Sequence, residues 1–279
     1  MKSRSVPLAV HPLTFTWLLP SSHPSSLQIY SLSSSSLLSE LEVSPSNRVS
    51  RRDEKPLLPS RVEKITISST GSWMATVDSR AGDVDFRPEV YLKFWSWVRA
   101  DEWILNTRID RPHGVHQVTD ISFSPCVRTG TSPMLVSTGE DARIKVWQLR
   151  LLPGSETSMS NLTMNCRDLL HVLSIGIWSP YVTLNFRSET PTSVSWSCDS
   201  SLFAVAVGPH IALYDPFTKS LRQTLTAPGC PKIQSVHFIN GLPGYLLASS
   251  SMSLTMWDLV DSCGMYFPHS WLVWNQQTI

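Results

Sequence analysis

The stretch from Pro133 to Leu149, PMLVSTGEDARIKVWQL, limits the fold of this chain more than any other. Met134, Leu135 and Val136 are apolar, Ser137 to Asp141 are polar or turn-forming, and Ile144, Val146 and Leu149 then recur around Trp147, with Arg143, Lys145 and Gln148 between them. A period of two broken by a short polar turn predicts a β-hairpin and not a helix. Asp141 precedes Trp147 by six residues. A carboxylate in such a turn can accept hydrogen bonds from turn amides and from a neighbouring imidazole or hydroxyl.

This spacing is that of a WD repeat, and such units stack only in company, so relatives of the hairpin are expected elsewhere in the chain. The unit opens upstream with VTDISFSP (118–125), and the same opening recurs within 62–78, 192–208 and 233–249. Each is followed by a strand ending on an aromatic: YLKFWSW (91–97), IKVWQL (144–149), IALYDP (211–216) and LTMWDL (254–259). The aromatic anchors are therefore Trp95, Trp147, Tyr214 and Trp257, separated by 52, 67 and 43 residues. A WD blade takes about 40–45 residues, so the surplus is assigned to loops.

Composition agrees with many short strands. The 279 residues are 42% hydrophobic, enough for a sizeable core, and include 11 Trp and 20 Pro with few helix signals. A net charge of +1 creates no overall field that demands nucleic acid or an anionic membrane. Cys126, Cys166, Cys198, Cys230 and Cys263 stand 32 to 40 residues apart, which is neither zinc-ligand nor redox-motif spacing, so they read as buried or loop thiols in a reducing compartment. Pro7, His11, Pro12, Thr14 and Thr16 interrupt the N-terminal apolar stretch, which argues against a secretory signal. No segment reaches the ~18 apolar residues of a membrane-spanning helix, and no membrane contact or small-molecule substrate is expected.

Taken in order, residues 1–60 read as an irregular N-terminal segment with part of a blade. LQIY (27–30) looks like a strand without a partner, and LLSELEV (37–43) like the outer strand of the same incomplete blade. The Ser-rich runs at 20–26 and 31–36 separate these patches, and the basic run from Arg48 to Lys64, interspersed with acids and prolines, reads as a solvated loop, the alternative being a nuclear address or an RNA-phosphate contact. Residues 61–260 read as WD-repeat blades. Within them 79–89 is a polar excursion, WILNTRID (103–110) an outer strand, 150–190 a long departure with DLLHVLSIGIW (168–178) as an apolar strand pair or distorted outer strand, and LRQTLTAPG (221–229) another outer strand. Residues 261–279 read as an irregular tail.

His113 lies five residues before Val118, where a WD blade places a histidine that reaches the serine and aspartate of the next hairpin. The expected structural tetrad is His113, Ser137, Asp141 and Trp147. His, Ser and Asp together also suggest a hydrolase triad. A nucleophilic serine needs an exposed, strained elbow, whereas Ser137 falls within an apolar strand, so no catalytic residue is assigned. No cofactor or metal site is assigned either.

MATVDSRAGD…PEVYLKFWSW, LNTRIDRPHG, LVSTGEDARIKVW and FAVAVGPHIALYDPFTKSLRQTLTAPGCPKIQSVHF together resemble the second propeller of the WD-repeat nucleolar family of the small-subunit processome, the Nan-one or WD repeat-containing protein seventy-five family. The likeness covers about residues 60 to 260 and is carried by the Pro-Glu before LKFWSW and the LNTRID–PH linker. It implies a non-enzymatic nucleolar scaffold that joins other WD-repeat proteins of a processome subcomplex, meets pre-ribosomal RNA directly or indirectly, and supports its transcription and processing towards 18S rRNA. The chain departs from the family in two ways. It is far shorter than a pair of propellers, and the aspartate six residues before the aromatic stands only at 141, with Glu89, Gly208 and Ser251 at the corresponding places.

The fold expected is all-β: an incomplete, open WD-repeat β-propeller of four recognisable blades plus part of a fifth, and a fragment of a longer protein. Two rival functions share some of these features. One is a generic WD adaptor in ubiquitin ligation or chromatin; the other is a propeller hydrolase, which would need acids or histidines converging on a channel.

Overall fold

A computed structural model describes residues 6–45, 58–82, 87–99, 102–125, 132–151, 176–226, 232–242, 244–251 and 253–259. Among them there is no helix, and nineteen strands form five antiparallel sheets. The first sheet comprises β1 (Ala9–Val10), β2 (Thr16–Pro20), β3 (Ser26–Ser31) and β4 (Ser36–Glu42), and the second β5 (Arg61–Ile67), β6 (Trp73–Arg80), β7 (Glu89–Arg99) and β8 (Glu102–Asp110). The third is β9 (Val118–Phe123), β10 (Met134–Gly139), β11 (Arg143–Leu151) and β12 (Gly176–Asn185), and the fourth β13 (Pro191–Trp196), β14 (Phe203–Val207), β15 (His210–Asp215) and β16 (Ser220–Thr226). The fifth has three described strands, β17 (Ser235–Phe238), β18 (Tyr245–Ser249) and β19 (Leu254–Asp258). Sheet order follows chain order throughout, the meander expected of propeller blades.

The second, third and fourth sheets share one construction. The serine that ends the first strand closes the following turn reciprocally: Ser68 N–H donates to Trp73 O at 2.8 Å while Ser68 Oγ accepts from Trp73 N–H at 3.1 Å. Ser124 does the same with Met134 (2.9 and 3.2 Å), and Ser197 with Leu202 (2.9 and 3.0 Å). Gly71, at a φ of +74°, lets the Ser68 turn fold without a Cβ clash. The second strands β6, β10 and β14 are buried along their whole length, which explains why MATV, MLV and FAVAV read as continuous apolar runs and not as alternation. The third strands carry the aromatic anchors. In the first, second and fourth sheets, the pairing of third with fourth strand slips just before that anchor, at Ile29/Tyr30, Phe94/Trp95 and Leu213/Tyr214.

Three expectations are corrected. LQIY has a partner: Trp17 to Pro20 pair with Tyr30 to Leu27, so residues 1–60 hold a whole four-stranded sheet, and the described sheet with fewer strands is the fifth. Its first strand spans only two residues and its second ends on proline, which hid both from a pattern search. The outer strand of the third sheet is Gly176–Asn185, later than 168–178, most of which lies outside the described residues. The excursion at 79–89 is shorter than expected, since β6 runs to Arg80 and β7 starts at Glu89, and these two pair across the ladder with an ion pair of 2.8 Å.

Contacts divide the chain into two compact units, residues 1–117 with 149–179, and 118–148 with 180–279. In the first, Leu18, Leu27, Ile29 and Val43 pack on Val62, Met74, Trp95 and Trp103. Also in this unit, Trp178 stacks on Phe94 with centroids 4.3 Å apart and meets Trp73 edge-on at 5.6 Å. Asn106 Nδ2 donates to Gly176 O (3.0 Å) and Trp178 N–H to Thr107 Oγ1 (3.2 Å), so β12 starts clamped against β8. In the second unit, Val136, Ile144 and Val146 pack against Phe203, Val205 and Tyr214, and the other face of the fourth sheet packs on Val236, Leu246 and Trp257.

Candidate functional site

The stretch from Pro133 to Leu149 forms the expected hairpin, with Leu135 opposite Trp147 and Ser137 opposite Lys145. That register places Trp147 two residues beyond the partner of Ser137, close enough for the indole Nε1–H to donate to Ser137 Oγ at 2.8 Å. Both side chains are buried. The second sheet repeats the arrangement: Thr76 stands opposite Lys93, and Trp95 Nε1–H donates to Thr76 Oγ1 at 2.9 Å. A buried indole needs an acceptor, and a hydroxyl on the adjacent strand supplies it. Ser137 is thus fully enclosed and already engaged, which is not the setting of a nucleophile.

The remaining expected residues fall as follows. Asp141 lies half-buried in the turn, where its Oδ1 accepts from Arg143 N–H at 3.2 Å. Lys145, also half-buried, has its pKa lowered chiefly by burial, with Asp141 pulling it up and Arg143 pushing it down. His113 is buried in a turn closed by Gly114 N–H to Arg111 O at 3.0 Å; it belongs to the first unit, whereas Ser137, Asp141 and Trp147 belong to the second. Tyr214 is buried and stacks on Phe203 at 5.4 Å. Its hydroxyl donates to Asn185 O at 3.2 Å, and burial pushes its pKa up. Here Val205 and Ala212 take the places of the hydroxyl and the lysine, so this anchor has an apolar strand partner. Trp257 is buried in the last apolar cluster.

Sequence reasoning missed several groups. Lys93 is buried, with Nζ 2.8 Å from Asp78 Oδ1 and donating to Val43 O at 2.7 Å, which ties the end of the first sheet to the second. A lysine inside YLKFW, between side chains that must face a core, was the available signal. His11 takes the turn position that serine holds in the second, third and fourth sheets. Its Nδ1 accepts from Leu13 N–H (3.3 Å) and Thr14 N–H (3.2 Å), so Nε2 carries the proton and donates to Gly71 O at 3.1 Å. Its ring lies against Trp97 and Trp103, and burial lowers its pKa against an opposing pull from the Gly71 carbonyl. Tyr30 is the anchor of the first sheet, identifiable afterwards by the strand slip that precedes it. At Gly208, where the turn acid is missing, a Cβ would stand 2.6 Å from Glu189 Oε2, so a carboxylate from the preceding loop fills that space.

First strands of neighbouring sheets in the second unit are joined by side chains. Asp120 Oδ2 accepts from Val194 N–H at 2.9 Å, Ser193 Oγ from Val236 N–H at 3.3 Å, and Ser195 Oγ from Phe238 N–H at 3.0 Å. Among the described residues no group of three or more His, Cys, Asp or Glu is placed to hold a metal ion. The polar side chains found in the interior hold strands and sheets in register.

Comparison with known proteins gives a consistent result. Residues 8–271 match the family model described as WD repeat-containing protein 75 second beta-propeller. WD repeat-containing protein 75 of Xenopus laevis is 29% identical over 245 residues, which cover 85% of this chain and 27% of that protein. U3 small nucleolar RNA-associated protein 17 of Schizosaccharomyces pombe is 22% identical over 205 residues, covering 71% of this chain and 23% of that protein. The chain spans about a quarter of the length of these curated relatives.

Proposed function

The chain belongs to the WD repeat-containing protein 75 second beta-propeller family, and we propose that it acts as a non-enzymatic WD-repeat scaffold in ribosome biogenesis, within the small-subunit processome. Its partners are other WD-repeat proteins of that assembly, and it supports pre-ribosomal RNA transcription and processing towards 18S rRNA from the nucleolus. The observation that carries the reading is the family match over residues 8–271. The name of the fission-yeast relative, a U3 small nucleolar RNA-associated protein, points the same way. The interior is consistent with it: Ser137, Thr76, Lys93 and His11 are occupied in holding strands together, which leaves recognition to exposed loops and outer strands.

The test is affinity purification of the tagged protein from its own cells, with imaging of the same tag. Enrichment of U3 small nucleolar RNA and 18S precursors, nucleolar signal, and accumulation of unprocessed precursor on depletion are expected. Recovery without U3 RNA, together with unchanged precursor levels on depletion, would falsify the ribosomal role. A turnover of substrate lost in Ser137→Ala, with the fold intact, would overturn the non-enzymatic part.

A further inference from the structure

The outer strand of the first sheet carries a pattern that none of the anchors uses. Ser33, Ser36 and Ser39 follow one another at intervals of three residues, and three residues later the series ends on Glu42. Ser33 lies in the turn between β3 and β4, Ser36 begins β4, and Glu42 ends it. Ser33, Ser36 and Glu42 are exposed and Ser39 is half-buried; Leu32, Leu37 and Leu38 beside them are 52%, 53% and 40% exposed, so no part of the sheet covers this run. β4 is the last strand of its sheet, paired with β3. An edge strand is already extended, the form in which a segment enters another protein's binding groove.

We propose that β4 and the turn before it form a sequential phosphoacceptor site for an acid-directed serine kinase that uses a nucleoside triphosphate, with Ser39 modified first, Ser36 second and Ser33 third. A kinase groove lined with arginine or lysine selects its acceptor by an anionic group at a fixed distance along the extended substrate. Glu42 supplies that group for Ser39. Phosphoserine at 39 then supplies it for Ser36, and phosphoserine at 36 for Ser33. Ser34 and Ser35 are followed at the same distance by Leu37 and Leu38, so they never acquire the anion and stay unmodified. In each step the serine Oγ forms a bond to the γ-phosphorus and the bond from that phosphorus to the β–γ bridging oxygen breaks. The nucleoside diphosphate leaves with the electron pair, and the serine proton passes to the base of the kinase. Each transfer adds a charge of about −2 at neutral pH, so the strand that holds Glu40 and Glu42 becomes a dense anionic edge suited to an arginine-rich partner surface.

The experiment treats the purified full chain with a recombinant acid-directed serine kinase and magnesium ATP and maps phosphate by mass spectrometry over time. Phosphate is expected on Ser39 first, then Ser36, then Ser33, with none on Ser34 or Ser35. Ser39→Ala should lower labelling of Ser36 and Ser33 by about tenfold, the loss of one charge-assisted contact, and Ser39→Asp should retain it. Ser36→Ala should leave Ser39 unchanged and lower label on Ser33 by about tenfold. Labelling of Ser36 at the wild-type rate in Ser39→Ala, equal labelling of Ser34 and Ser35 in the folded wild type, or no phosphate on any of the five serines overturns the proposal. If Ser39→Ala unfolds, as a loss of its thermal transition would report, Glu42→Gln decides. That change is at an exposed side chain, and it should slow Ser39 by about tenfold; an unchanged rate refutes the order proposed.

Discussion

At Trp147 one hydroxyl decides whether a buried indole N–H is satisfied. Ser137→Ala removes that acceptor from a buried site and should destabilise the protein by about 1–3 kcal/mol, with Thr76→Ala costing a similar amount at Trp95. Denaturant unfolding of each single variant checks this, and a change within ~0.5 kcal/mol would mean that the bond contributes no more than a surface contact. His11 makes a prediction about pH. Its folded pKa lies below the ordinary histidine value, so the unfolded chain binds the proton first as pH falls through about 6.5. Its contribution is therefore complete above that pH and declines below it towards the folded pKa. Wild type should lose more stability between pH 7.5 and pH 5.5 than His11→Asn does, a difference that cancels the other histidines. Asp215 behaves similarly in a more acid window. Burial alone would push its pKa up, but Arg222 at 2.6 Å and the N–H groups of Phe217 and Thr218 outweigh this and bring it to about 2. Its contribution, about 1 kcal/mol after allowance for the half-exposed Arg222, is present above about pH 4 and is lost as pH falls through about 2. Acid titration of Asp215→Asn against wild type reads it directly.

Third strands of the second to fifth sheets were legible from the sequence because Trp95, Trp147, Tyr214 and Trp257 mark them, and the first strands β5, β9 and β13 stand out in the structure because serine closes the turn that follows. Outer strands were less so. β12 carries Pro180 in its middle, which sequence rules count against a strand, yet on an edge the missing N–H can face away from the ladder. The more apolar run just before it drew the assignment away. Lys93 and His11 were unreadable for a different reason: whether a polar residue in an apolar strand or turn is enclosed depends on partners sixty or fewer residues away, here Asp78, Val43 and Gly71, which no local pattern reveals. Trp178 shows what an outer strand can contribute once placed. It is 2% exposed and wedged between Phe94 and Trp73, so Trp178→Ala should cost about 3–5 kcal/mol, and Trp178→Phe, which keeps the stack on Phe94, markedly less. Equal losses from the two, measured by thermal unfolding, would show that the stack contributes little.

The molecule as a whole is nearly neutral, with a net charge of +1 and an isoelectric point of about 7.7. Self-repulsion is then weak at physiological pH, and solubility of the purified protein should pass through a minimum near its isoelectric point and rise on either side. Light scattering across a pH series would show this, and a flat profile would indicate that patches of charge, not the net value, govern association. The joints between first strands bear on how such a chain changes over evolutionary time. Asp120, Ser193 and Ser195 each offer an oxygen, and what each receives is a main-chain N–H, a group that any residue but proline provides. A mutation in the receiving strand therefore leaves these particular bonds intact, because none of them recognises its side chain. Only the offering position is under constraint, so each joint needs one conserved hydroxyl or carboxylate where a side-chain-to-side-chain contact would need a matched pair. For these bonds, drift on the receiving side need not be answered by compensating drift on the offering side.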